Sequence, residues 1–199
     1  MVLTEAGEVS VQATPLPLVI FRPTLFAMSQ IGEPAEIVAL AVRLFGGTAT
    51  IHDALRVLWA CCDDDCSAYT GYLGGDTTPE YVAGVMPVHD IVVMAIHLLQ
   101  HGLVGKSIKQ RESKPATDTA NATFNALEFV AIAIAQLRMS ERDAWRLSMT
   151  TLVNALHSKF PDMGAKTGPG STAPSGSELD ADMKRLEEIN KQREVKNAR

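Results

Sequence analysis

The feature that most constrains this chain is helical periodicity cut into short lengths by glycine and proline. Between Pro34 and Phe45, the residues Ile37, Ala41 and Leu44 fall on one helical face. Gly32 precedes that run and Gly46-Gly47 stops it. Ile51, Leu55, Leu58 and Cys62 repeat the pattern across residues 49–62. Pro87 opens a further run, with Ile91, Ala95 and Leu98 in phase and Gly102 and Gly105 at its end. Stripes this short cannot make a long coiled coil. They predict a mainly α fold, a small body of short helices whose stability comes from packing on one another.

The two ends of the chain depart from this pattern. Residues 8–11 alternate polar and apolar, and residues 18–21 are β-branched and aromatic, with Thr14-Pro15-Leu16-Pro17 between them. That reads as a short N-terminal β-hairpin, which must pack on helices to be stable. Pro23 is expected to open the first helix, over residues 26–31. Residues 67–85 are glycine-rich and read as a loop, with short strands at Tyr72-Leu73 and Tyr81-Val82. Residues 107–119 are polar and basic and read as a connector. Two helices then follow, joined by Arg138-Met139. One covers residues 120–137 with Phe124, Leu127, Ala131 and Ile134 on its buried face. The other runs unbroken from Ser140 to Phe160 with Trp145, Met149, Leu152 and Leu156. So short a link predicts an antiparallel hairpin of helices.

After Pro161 the composition changes to Gly, Pro, Ser, Thr and Ala, a flexible linker over residues 162–177. Residues 178–199 form a charged C-terminal helix whose thin stripe is Leu179, Met183, Leu186 and Ile189. The expected organisation is thus a body over residues 1–161, the linker, and a tethered helix. No repeat of fixed period interrupts it.

Composition narrows the function. Apolar residues make up 46% of the 199, but aromatics only 6%, so the core must be aliphatic. A net charge of −5 disfavours nucleic acid as partner, and the basic stretches Lys106/Lys109/Arg111/Lys114 and Lys191/Arg193/Lys196/Arg199 read as solvated charge. No membrane span is expected, because the strongly apolar stretch at residues 91–99 is too short. The opening residues carry acids where a secretory leader would be basic.

Candidate chemistry is sparse. Cys61, Cys62 and Cys66 cluster near His52, yet zinc sites usually show a paired second set of ligands. Asp63-Asp64-Asp65 lacks the spacing of a calcium loop. His97 and His101 are four apart, but no metalloprotease pattern joins them. Gly46-Gly47 and Gly74-Gly75 match no phosphate-binding motif. The expectation is a protein with no catalytic residue, no metal and no cofactor.

Four segments carry a resemblance. They are residues 21–38 (FRPTLFAMSQIGEPAEIV), 60–65 (ACCDDD), 94–105 (MAIHLLQHGLVG) and 144–161 (AWRLSMTTLVNALHSKFP). Together they resemble the tail assembly chaperones of long-tailed bacteriophages, in which a Trp, a Leu-Ser/Thr pair and a closing Lys-aromatic-Pro mark the last body helix. The resemblance implies an assembly factor of the host cytoplasm that coats the tape measure protein, recruits tail tube subunits and leaves before the virion is complete. It implies self-association, so a homo-oligomer is expected. The residues proposed for partner contact are Phe21, Phe26, Met28 and Ile31 in the body, and Leu179, Met183, Leu186 and Ile189 in the C-terminal segment. A structural tail or connector protein and a zinc-stabilised regulator are the alternatives.

Overall fold

A computed structural model describes residues 2–75, 80–106 and 123–160. The fold is mainly helical with some strands. Its contacts divide the chain into two units, Met1–Lys159 and Phe160–Arg199. The expected connector at residues 107–119, linker at 162–177 and C-terminal helix with Leu179, Met183, Leu186 and Ile189 lie outside the described residues.

The N-terminal residues pair as expected, with one strand more. Strands β1 (Val2–Leu3), β2 (Val9–Val11) and β3 (Val19–Phe21) form an antiparallel sheet in that order. The register sets Val9 opposite Phe21 and Val11 opposite Val19. Side chains alternate along a strand, so these four all face the core, where they are buried. Tyr69, itself buried, ties down the connecting loop. Its hydroxyl donates to the Pro17 carbonyl at 2.6 Å and accepts from the Ala13 N–H at 3.1 Å.

Helix α1 spans Leu25–Gln30. Thr24 caps it, its hydroxyl accepting from the Ala27 N–H at 3.0 Å. Pro23 therefore stands before the cap rather than in the first turn, which corrects the sequence reading. Helix α2 spans Pro34–Phe45, with Pro34 in its first turn and Glu33 and Glu36 forming a reciprocal capping box. Helix α3 spans Ile51–Cys61, capped by Thr50, and buries Ala54, Leu55, Val57, Leu58 and Cys61. Cys61 rather than Cys62 is its last core position.

The expected loop after α3 holds a four-residue helix, α4 (Ser67–Thr70), before the strands β4 (Tyr72–Gly74) and β5 (Glu80–Val82) pair antiparallel. Periodicity cannot reveal one helical turn. It is fixed by tertiary bonds, with Trp59 Nε1 donating to Thr70 Oγ1 at 3.3 Å and the Tyr81 hydroxyl to the Thr70 carbonyl at 3.1 Å.

Helix α5 (Val88–Leu99) packs on α3 and buries Ile91, Met94, Ala95, Leu98 and Leu99. It runs on into a π-helical segment, Gln100–Val104. Gly102 in that segment lets Met28 approach: a Cβ there would lie 2.7 Å from the Met28 sulfur.

Helix α6 spans Ala126–Leu137, starting later than the sequence suggested because Asn125 caps it. Its buried residues are Ala126, Val130 and Ala133. The expected face of Leu127, Ala131 and Ile134 points outward instead, although Phe124, which precedes the helix, is buried. The last expected helix is two. Helix α7 (Glu141–Trp145) and helix α8 (Met149–Lys159) are separated at residues 146–148. The cause is a tertiary bond. The Leu147 carbonyl accepts from the Leu25 N–H at 2.8 Å, and Ser148 bridges Thr24. Ser148 then restarts the helix, its hydroxyl accepting from the Thr151 N–H at 3.2 Å.

Leu58 is fully buried on α3, so Leu58→Ala should cost about 2–5 kcal/mol in denaturant unfolding. Val93→Ala, on the exposed side of α5, should cost less than about 0.5 kcal/mol. Equal midpoints for the two variants would contradict the packing described.

Candidate functional site

The four body residues proposed for partner contact separate by burial. Phe21, Met28 and Ile31 are core side chains. Phe26 is 56% exposed. Helix α1 buries Leu25, Ala27 and Met28, which leaves Phe26 on the outer side. There it meets Trp145 of α7 edge to face, ring centroids 6.2 Å apart.

Helix α6 lies against α1 and α7 and exposes apolar residues of its own. It is apolar almost all round, so burying one side leaves another apolar side in water. Leu127 is 57% exposed, Ile132 40% and Ile134 39%, with Ala131 and Ala135 also exposed. Glu128 is the one charged residue of α6, and Arg138 follows at its left-handed C-terminal position, φ 56°. Sequence periodicity found the right residues here and assigned them to the wrong side. Exposed apolar residues scattered singly need no explanation, whereas α6 gathers several along one helix.

The other candidates are internal. Cys61, Cys62 and Cys66 are free thiols. Burial pushes the Cys61 thiol well up, and a hydrogen bond from Cys66 holds Cys62 below its ordinary value. Among the described residues no group of three or more His, Cys, Asp or Glu is placed to hold a metal ion. Asp63 carries an ion pair instead, its carboxylate 2.9 Å from Arg22. Nor, among the described residues, is any helix long and apolar enough to cross a membrane.

Residues 43–173 match a family described as "Family of unknown function (DUF6246)". The chain belongs to this family. The match covers about two thirds of the chain, from the end of α2 through α8, and so includes the whole α6 surface. No curated protein and no solved structure matches the chain.

In this DUF6246 chain the histidine pair is structural in its contacts. His97 and His101 lie with ring centroids 4.6 Å apart. His101 Nδ1 is 3.0 Å from Thr150 Oγ1 on α8, and Gly7 of the β1–β2 turn packs on the His101 side chain. Gly7 has φ 91° and no room for a Cβ. The pair thus joins the N-terminal sheet, the π segment and α8. His97 Nε2 is buried without a hydrogen-bond partner among the described residues. Burial, first, holds both histidines below the ordinary 6.5; Lys106 adds repulsion at both, His97 adds more at His101, and a bond to Gly7 partly offsets this at His97.

The folded protein therefore keeps both rings neutral where the unfolded chain has begun to take up protons. Their contribution is complete above pH 6.5 and is lost as pH falls through the depressed folded values. The melting temperature should fall between pH 7.5 and 5.5, and the double variant His97→Gln, His101→Gln should flatten that slope. A slope unchanged by the double variant would contradict the assignment. Asp53 acts lower: hydrogen bonds from Arg43, above all, bring it down to about 2. Its contribution is present above 3.8 and lost as pH falls toward 2.

Proposed function

We propose that this DUF6246 protein is a non-catalytic, protein-binding assembly factor, a tail assembly chaperone that holds the phage tape measure protein soluble in the host cytoplasm. The observation that carries this reading is the exposed apolar surface of α6 beside Phe26. A tape measure protein is a long helical client, and an amphipathic helix lays its apolar side on such a surface. The surface is short, so each contact is weak, and many copies along one client supply the strength through multivalency.

The resemblance supplies the identity of the client. The segments that carry it include α1, which bears Phe26, the α5–π junction, and the end of α7, which bears Trp145, with α8. The same reading has the chaperone help recruit tail tube subunits, and Leu179, Met183, Leu186 and Ile189, which lie outside the described residues, are the second set of residues proposed for partner contact. The chaperone then leaves, so it is absent from mature virions.

Co-expression tests this directly. The full chain should move a tape measure protein from the insoluble to the soluble fraction. Phe26→Asp combined with Leu127→Asp should abolish most of that rescue while leaving the far-ultraviolet circular dichroism unchanged, because both residues are exposed. A client that stays insoluble at every ratio of wild-type chain would overturn the proposal.

A further inference from the structure

The outer side of α6 has an order of its own. Leu127, Ala131 and Ile134 follow at spacings of four and three, which is the seam of a helix that packs lengthwise on another helix, and Arg138 stands just past the end of that helix. Ala131 at the middle of the seam, and Ala135 beside it, let two backbones come close. Glu128 flanks the seam at its N-terminal end and Arg138 closes it at the other. Both are exposed, and neither forms an ion pair within the described residues. Glu128 Oε1 accepts from Asn125 at 3.1 Å, which leaves its second oxygen available.

We propose that the occupant of this face, in the absence of client, is the α6 of a second copy, packed antiparallel about a two-fold axis. The inference rests on the reading of the α6 surface as a protein-binding face and names its resting partner. The charges select the partner and its direction. An antiparallel pair brings Glu128 of each copy to the level of Arg138 of the other, twice by symmetry. A parallel pair would stack Glu128 on Glu128 and Arg138 on Arg138. In the antiparallel register Ala131 of each copy meets Ile134 of the other, a small residue against a large one. A contact of one twelve-residue helix is small, so the dimer is a reversible one that a helical client can displace.

Sedimentation equilibrium of the full chain, from about 1 to 200 μM, tests this. Wild type should pass from monomer to dimer across that range. Ala131→Glu, which places a charge at the centre of the seam on an exposed position, should remain monomeric with unchanged helicity. Glu128→Arg and Arg138→Glu should each weaken the dimer about tenfold, and the two together should restore it. Failure of the double variant to restore dimer, or a dimer that survives Ala131→Glu, would overturn the proposal. A wild type that stays monomeric until residues 162–199 are deleted would also overturn it, by giving the face to the chain's own C-terminal segment. The co-expression assay reads the chaperone function separately: Ala131→Glu losing the dimer while wild type still rescues the client keeps the two apart.

Discussion

Helix α3 is the member on which the rest of the body is hung. One side of it, Ala54, Leu55, Val57, Leu58 and Cys61, is buried, largely against α5. Its polar groups each hold a different neighbour. Asp53 takes two hydrogen bonds from Arg43 of α2, at 2.6 and 3.2 Å. Arg56 donates to the Ile31 carbonyl at the end of α1, at 2.6 Å. Trp59 reaches Thr70 of α4, and the Cys61 carbonyl accepts from the Arg22 N–H just beyond β3, at 2.7 Å. Burial supplies most of the stability, but these bonds fix where the short elements sit, since no one of them could hold a conformation alone.

That arrangement explains what could be read in the sequence. The bounds of α2 were legible to the residue because local chemistry sets them, Pro34 at one end and Gly46-Gly47 at the other. The hairpin of β2 and β3 was legible for the same reason, alternation bounded by prolines. The division of α7 from α8 was not, since its cause is a hydrogen bond to Leu25, more than a hundred residues earlier in the chain. Nor was α4, a single turn held by Trp59 and Tyr81.

Helix α6 shows a different limit, and it is the one that bears on function. Its sequence, ALEFVAIAIAQL, offers apolar residues in nearly every direction. Periodicity can then name several stripes and cannot choose among them. The fold chose Ala126, Val130 and Ala133, small residues that let α6 lie close to α1. The larger Leu127, Ile132 and Ile134 were left outside. That excess apolarity is what the proposed protein-binding role rests on. Of the four body residues proposed for contact, three serve the core, and Phe26 alone is exposed. For the DUF6246 family, the matched region contains the α6 face but not Phe26, so α6 is the part of the surface that the family description reaches.

The central claim is that this apolar face binds a helical protein by burying itself. Calorimetric titration of the full chain with a soluble tape measure fragment, repeated at several temperatures, tests it most directly. Burial of apolar surface predicts a clearly negative heat-capacity change on binding, and one that is lost in Leu127→Glu together with the affinity. Binding of undiminished affinity by Leu127→Glu, or a heat-capacity change near zero for the wild type, would contradict the account.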